Sequence, residues 1–326
     1  MSRQLKSLLL GTVGAAGLAL SFISPALAST NEPAANLGLT SFNDGFGGLT
    51  PGWAFRQYDF YQPISGITGT DGKKIGAPVF NNQHIDAFVS LNQLIYTTPL
   101  HFAGATLGLT VLLPLVDLST HSDNPAFVHL KGNGLGLGDL TFGPYLQFPP
   151  IIMNGRPVFS NRAELDFNVP TGTYNDHKDV NQGANFYSIN PYYTFTVLPL
   201  PGFEISARTH YLYNTKNNDP GVSPAGPAPG ASFTAGQAWW TNFDASYTIT
   251  PGIDLGINGY YFKQFTDDVV NGQTVKGTET TNLSIGPGGT YAINKTNLLW
   301  LNAYFPIIAK NTTYGDRFNI SWLHIF

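Results

Sequence analysis

The chain has 326 residues, no cysteine and a formal net charge of −4, with 11% charged residues against 13% aromatic ones. The lack of cysteine excludes a disulfide framework, thiolate catalysis and Cys-type zinc sites, and the excess of acid argues against nucleic-acid binding. A charged fraction less than half the usual quarter, with a mean hydropathy of −0.04, suits a chain that turns apolar groups outward and neutral polar groups inward.

The first 28 residues stand apart. "MSRQLK" carries Arg3 and Lys6, "SLLLGTVGAAGLALSFI" is an apolar core, and "ALA" at 26–28 is a small-x-small cleavage site, so residues 1–28 read as a signal peptide and the mature chain as starting at Ser29. Its removal leaves 14 basic residues against 20 acidic ones. Beyond residue 28 no run of 18 apolar residues occurs, so no helix is expected to cross a bilayer. An exported chain of this kind is periplasmic, secreted or an outer-membrane barrel. Residues 29–52 read as an irregular segment. Within it "SFNDGFGG" sets Phe42 and Phe46 among glycines, a flexible and partly apolar stretch that suits a lumen better than a strand. It is expected to plug the lumen or to rest at its periplasmic mouth.

Residues 53–326 read as alternating strands, with cores near 53–63, 84–97, 102–115, 138–149, 158–169, 185–198, 203–214, 236–249, 253–265, 279–291, 297–308 and 316–326. Most approach the ~9–11 residues that a tilted strand needs to cross the hydrocarbon. The second is the least regular, because "VSLNQLIY" breaks the alternation near Gln93. The fourth sets Leu140, Phe142, Leu146 and Phe148 against Asp139, Thr141, Tyr145 and Gln147. In the fifth, Ala163, Leu165, Phe167 and Val169 oppose Arg162, Glu164, Asp166 and Asn168. The seventh sets Phe203, Ile205, Ala207, Tyr211 and Tyr213 against Glu204, Ser206, Arg208, His210 and Asn214, and the eighth sets Trp239, Phe243 and Tyr247 against Trp240, Asn242 and Asp244.

The connections sort by length. Short ones such as "TTPL", "LPLPG", "ITPG" and "AINKTN" follow even strands, and longer ones rich in Gly, Asn, Asp, Thr and Pro follow odd strands. Short periplasmic turns alternating with long external loops mark a bacterial outer-membrane barrel, and a sandwich has no reason to sort its loops this way. An even strand count keeps both chain ends on the periplasmic side. Aromatics gather at strand ends, as in "WAFRQYDFY", "GYYF" and the terminal "SWLHIF", where rings suit the lipid boundary. The terminal Phe326 is the expected handle for the barrel-assembly machinery.

Several words of the sequence carry a resemblance. "NLGLTSFNDGFGGLTPGW", "VSLNQLIY", "GLGLGDLTFGPYLQ", "VPTGTYN", "GANFYSINPYYTFT", "YFKQFTDD" and "YGDRFNISW", spread over most of the mature chain, resemble the outer-membrane family labelled phenol meta-pathway degradation proteins. The resemblance implies a barrel linked to passage of hydrophobic or aromatic compounds, and it brings no catalytic motif.

Other chemistry is weaker. The Gly-rich "GNGLGLGDLTFG" lacks the Walker lysine and leads into a strand, so it is no phosphate cradle. Ser119 and His121 would share a face if the third strand reached them, but a hydrolase also needs hydrogen-bonding distance and a third, orienting group. His121, Asp123 and His129 in one loop, and Asp267 and Asp268 in another, have no recognised ligand spacing, so no metal and no cofactor is expected.

The sequence therefore predicts an all-β fold: a transmembrane antiparallel up-and-down β-barrel of the bacterial outer membrane, of about 12 strands and without enzymatic activity. Lipid and lipopolysaccharide would surround it. The expected function is passage of small hydrophobic compounds into the periplasm, aromatic ones on the resemblance alone. The alternative is a non-transporting structural or adhesion barrel whose external loops bind a partner. Arg162, Glu164, Asp166, Asn168, Arg208, His210 and Asp244 are expected along the solute path, with Phe42 and Phe46 in the plug. Charges in a narrow lumen cost free energy unless paired or hydrated. Arg162 and Arg208 are thus expected to pair across the lumen with Glu164, Asp166 or Glu204.

Overall fold

A computed structural model describes residues 35–76, 83–122, 130–221 and 230–326. The expected signal peptide, residues 29–34, Asp123 and His129 lie outside the described residues. Among those described, twelve long strands form a wall: β1 (Gly52–Ile67), β2 (Gln83–Phe102), β3 (Ala105–Ser122), β4 (Leu140–Gln147), β5 (Arg156–Val169), β6 (Ser188–Leu200), β7 (Phe203–Asn214), β8 (Ala238–Thr250), β9 (Ile253–Gln264), β10 (Thr281–Asn294), β11 (Asn297–Lys310) and β12 (Arg317–Ile325). Each pairs antiparallel with the next in sequence. β1 also pairs with β12, so Tyr58 faces Leu91 on one side and Ser321 on the other. The sheet closes on itself, and closure leaves no unpaired edge for lipid to meet.

The burial pattern is inverted relative to a soluble protein. On β5 the buried row is Ser160, Arg162, Glu164, Asp166 and Asn168, while Ala163, Leu165, Phe167 and Val169 alternate with it on the other face. Elsewhere on the wall Ile257, Leu301 and Ile307 are each at least 60% exposed. Water would not tolerate that much apolar surface in one continuous band. Lipid does, and the polar rows then face a lumen that supplies hydrogen bonds. The protein is an outer-membrane barrel, with lipid around the apolar rows. A hydrocarbon boundary also accounts for the stacking of Trp53 on Tyr96 near one rim and for Phe326, 74% exposed at the chain end.

The connections fall into two sets, as the loop lengths predicted. Residues 103–104, 148–155, 201–202, 251–252 and 295–296 make the short, periplasmic end. Two of them are Pro-Gly pairs, at 201–202 and 251–252, in which Gly202 and Gly252 take φ of 77° and 84°. Proline presets the first turn position and only glycine enters the second without strain, so the sequence chooses the turn. The external end carries a small three-stranded sheet of Phe233–Thr234, Asp268–Val270 and Gln273–Val275. There too the Gly-rich stretch lies against the wall, Gly134–Leu137 pairing with Leu115–Leu118 of β3.

Two strand ends lie furthest from the sequence reading. β3 continues to Ser122 rather than stopping near 115, and β2 continues to Phe102, because the β2–β3 ladder runs from Gln83–Ser122 to Phe102–Ala105. A hydrogen-bonded partner extends a strand past the hydrocarbon, where side chains such as Asp117 and Ser119 no longer read as a membrane row.

Candidate functional site

Residues 35–51 run through the lumen. Backbone groups of this segment cannot pair with one another as a strand would, so wall side chains satisfy them. Gly38 N–H donates to Asn242 Oδ1 (2.9 Å), and Asn242 Nδ2 donates to the Asn36 carbonyl (2.8 Å) and Thr40 Oγ1 (3.1 Å). Asn319 Nδ2 and Arg317 Nη1 donate to the carbonyls of Gly38 and Leu37. Ser41 bonds Asn302, and Trp300 Nε1 donates to the Phe42 carbonyl (3.2 Å). Further along, Gly45 N–H donates to Thr196 Oγ1 (2.8 Å), and its carbonyl accepts from Ser160 Oγ (2.9 Å) and Gln147 Nε2 (3.0 Å). The backbone at Gly45 lies directly on the wall: a Cβ there would sit 2.4 Å from Thr196 N and 2.5 Å from Ser160 O. Only glycine permits that approach.

A buried ion pair anchors the middle. Arg208 on β7 donates through Nε (2.7 Å) and Nη2 (2.6 Å) to the two oxygens of Asp44, and its guanidinium lies 4.4 Å from the Tyr192 ring centroid. Thr194 Oγ1 adds a third bond to Asp44 (3.2 Å). Two parallel charge-assisted bonds fix direction as well as charge. Phe42 is fully buried beside this anchor, and Phe46 is half-buried below it.

Each residue named from the sequence has a definite place. Arg162 donates to Gln147 Oε1 (3.1 Å), pairs with Glu164 (3.4 Å) and covers the Tyr145 ring at 4.2 Å. Asn168 accepts from Thr141 Oγ1 (2.6 Å). His210 shares a hydrogen bond with Asn190 Oδ1 (2.9 Å) and stacks flat on Trp240, with centroids 4.2 Å apart. Asp166 and Asp244 are buried on the same inner face, each with one carboxylate oxygen that has no partner. The pairing differs from expectation: Arg162 pairs along its own strand, and Arg208 takes Asp44, not Glu164, Asp166 or Glu204. The segment fills the axis of the lumen, so its acid reaches Arg208 first. Glu204 turns instead to Ser206 Oγ (2.6 Å), Ser246 Oγ (2.9 Å) and the Asn43 N–H (3.3 Å).

The inner wall has two chemical halves. From β5 to β8 it is polar and charged, whereas β1 to β3 present Phe60, Ala87, Val89, Leu91, Leu112 and Val116. This apolar half was hidden in the sequence, since a strand apolar on both faces loses its period of two. The irregular "VSLNQLIY" was the signal. Two cavities flank the segment. The outer, of about 370 Å³, lies between the apolar half and Asp166, Asn168 and Asn190. External residues 180–184 close over it, and Asp139 clamps the loop by accepting from the Gly172 (2.9 Å) and Ala184 (2.8 Å) N–H groups. The periplasmic cavity, of about 450 Å³, is bounded by Phe42, Phe46, Trp53, Trp300, Arg162 and Arg208, among others.

Ser119 and His121 lie on the outer face, on β3 as extended, with no hydrogen bond joining them. Asp86, 4.0 Å from His121 Nδ1, accepts instead from the Tyr61 hydroxyl (2.6 Å). Among the described residues no three His, Asp or Glu side chains are grouped to hold a metal ion.

No functionally curated protein matches the chain in sequence. By structure it is similar to an outer membrane channel from Pseudomonas putida F1, at TM-score 0.74 and 16% identity, covering 88% of this chain and 100% of that one. It is also similar to the transport unit of the autotransporter AIDA-I from Escherichia coli, at TM-score 0.52 and 9% identity, covering 93% and 98%. At such identities the likeness concerns the barrel. The sequence itself matches a family model over residues 67–322, nearly the whole wall, and the chain thus belongs to the family described as "Putative MetA-pathway of phenol degradation".

Proposed function

We propose that the protein passes small, largely apolar molecules across the outer membrane towards the periplasm. Residues 35–51 form the constriction, and Arg162, Glu164, Asp166, Asn168, Arg208, His210 and Asp244 form the polar side of the route. The observation that carries this reading is the pair of cavities, about 370 and 450 Å³, stacked on either side of one lumenal segment. Both fall in the ~300–1,000 Å³ range of small-molecule sites. An open polar pore would serve ions and sugars better. Here one wall is apolar and the other charged, which favours molecules with an apolar body. The family's association with phenol degradation and the channel character of the Pseudomonas putida relative support the same direction. Assembly in the outer membrane would use the exposed terminal Phe326 as its handle for the barrel-assembly machinery.

Single-channel recording of purified protein in planar bilayers, with and without simple aromatics, tests the reading. Small ion currents that one aromatic blocks, together with aromatic permeation into liposomes above the protein-free rate, are the expected result. Silence in the first assay and no added permeation in the second would leave a structural or adhesion barrel.

A further inference from the structure

From the periplasmic cavity we infer a binding site for organic monocarboxylates, in which Arg56 takes the carboxylate and the surrounding apolar side chains take the body of the molecule. A neutral solute has no need of such a site, so it goes beyond the uptake reading. Arg56 stands on the inner face of β1, between Gln93 of β2 and Leu323 of β12, and Leu298 of β11 follows Leu323 in the same row. The next tier towards the periplasm is aliphatic, with Ile95, Ala54 and Ile325. All of these border the cavity, as do Phe42 and Phe46 of the lumenal segment. Gly47, Gly48, Thr50 and Pro51 line it too and are exposed, which leaves it open to solutes of the periplasm.

Charge decides what this cavity favours. The charged side chains that border it are Asp44, Arg56, Arg162 and Arg208. Arg208 is neutralised by Asp44 and Arg162 by Glu164, so the charge of Arg56 is left over. Half-buried Arg56 forms no ion pair with a described acid, and its one hydrogen bond runs from Nε to the Ser321 hydroxyl (2.9 Å). Its Nη2 is enclosed without a partner, whereas Nη1 is not enclosed and donates to no described group. The guanidinium lies 4.1 Å from the Trp300 ring centroid and 4.6 Å from that of Tyr58. Aromatic faces stabilise such a charge, but they accept nothing from the N–H bonds at the edge of its plane. An oxyanion at Nη1 would bring the acceptor and the counter-charge together. Ser321 and the two rings already hold the guanidinium, so a ligand does not have to order it. A carboxamide of equal shape would gain the same wall contacts and offer only a neutral acceptor. Acetate would bring the charge without a body to cover the aliphatic tier.

Cyclohexanecarboxylate, its carboxamide and acetate are therefore suitable probes. Calorimetric titration of the full mature protein in a non-ionic detergent near neutral pH, corrected for partition into empty micelles, should give the carboxylate an affinity about tenfold above that of the carboxamide, the scale of one charge-assisted hydrogen bond. Acetate should bind at least tenfold more weakly than cyclohexanecarboxylate, because it buries far fewer methylenes. In Arg56→Gln the carboxylate and the carboxamide should bind within about twofold, the change coming from the carboxylate, and Leu323→Asn should weaken both alike. Should Arg56→Gln fail to reach the heat-modifiable folded form, Arg56→Lys keeps the charge without the planar fork, and the preference should fall to about threefold. Equal binding of carboxylate and carboxamide to the unmodified protein, an undiminished preference in either Arg56 variant, or acetate binding as tightly as cyclohexanecarboxylate overturns the inference. Liposome permeation by simple aromatics separates the two claims: if they cross above the protein-free rate while the carboxylate preference is absent, uptake stands and the Arg56 site falls, and if the preference is present while none crosses, the site stands and uptake falls.

Discussion

Removing the charge of Asp44 should unseat the lumenal segment. Asp44 and Arg208 expose only 4% and 8% of their side chains, and the two bonds between them, at 2.6 and 2.7 Å, are the only charge-charge contact from the segment to the wall among the described residues. Asp44→Ala leaves a guanidinium buried against Tyr192 without its counter-ion, which typically costs ~3–5 kcal/mol, whereas an exposed pair would cost ~0–1. At about 1.4 kcal/mol per tenfold, the unseated population should rise by roughly two to nearly four orders of magnitude. The natural chain contains no cysteine, so a single Ser41→Cys probe is chemically unambiguous. Ser41 is 3% exposed, and its labelling by a small maleimide measures how often the segment leaves its place. Labelling should accelerate by at least a hundredfold in the Asp44→Ala background, and single-channel conductance should increase in parallel. Faster labelling without a conductance change would mean that the segment is held by Arg208 yet does not restrict the pore. Unchanged labelling in a correctly assembled barrel would refute the reasoning, since the hydrogen bonds from Asn242, Thr196 and Ser160 would then suffice alone.

Other perturbations probe different parts of the barrel. Leu165→Arg and Phe167→Arg, on the lipid face, should each impair assembly by ~2–4 kcal/mol, whereas Asp166→Asn should leave folding intact; heat-modifiable migration after refolding into lipid reads the difference. Gly45→Ala should raise conductance without altering the wall, because its methyl group would meet Thr196 N and Ser160 O at 2.4 and 2.5 Å and the segment must back away. Asp268, in the external hairpin, gives a pH dependence: burial raises its pKa to about 6 against the N–H of Gly236 and the amide of Gln264, which hold it down. The folded hairpin therefore holds a proton that the opened one has lost between about pH 4 and 6. Its local stability should fall as pH rises through that window, by about 3 kcal/mol in all, and stay low above it. Amide exchange at Val269 and Val270 should accelerate accordingly, and Asp268→Asn should abolish the trend.

Much of the fold was legible from the sequence because alternation, turn chemistry and loop length are local. The period-two rows of β5, β7 and β8 require two different surroundings on their two faces, and the Pro-Gly turns at 201–202 and 251–252 fix which strands are joined tightly. Those features determine an antiparallel barrel, its strand count and the side on which Arg162, Glu164, Asp166 and Arg208 stand. What they do not determine is which inward groups meet. Asp44 and Arg208 are 164 residues apart, and their bond exists only because residues 35–51 turn into a lumen whose bore is set by twelve closed strands. The same closure brings the apolar face of β1 to β3 opposite the acids of β5, making a two-sided cavity from segments that each look irregular or ordinary alone. Strand faces are local properties of the chain, whereas the distance across a barrel is a property of the closed sheet, so only the tertiary structure could decide partners and cavities.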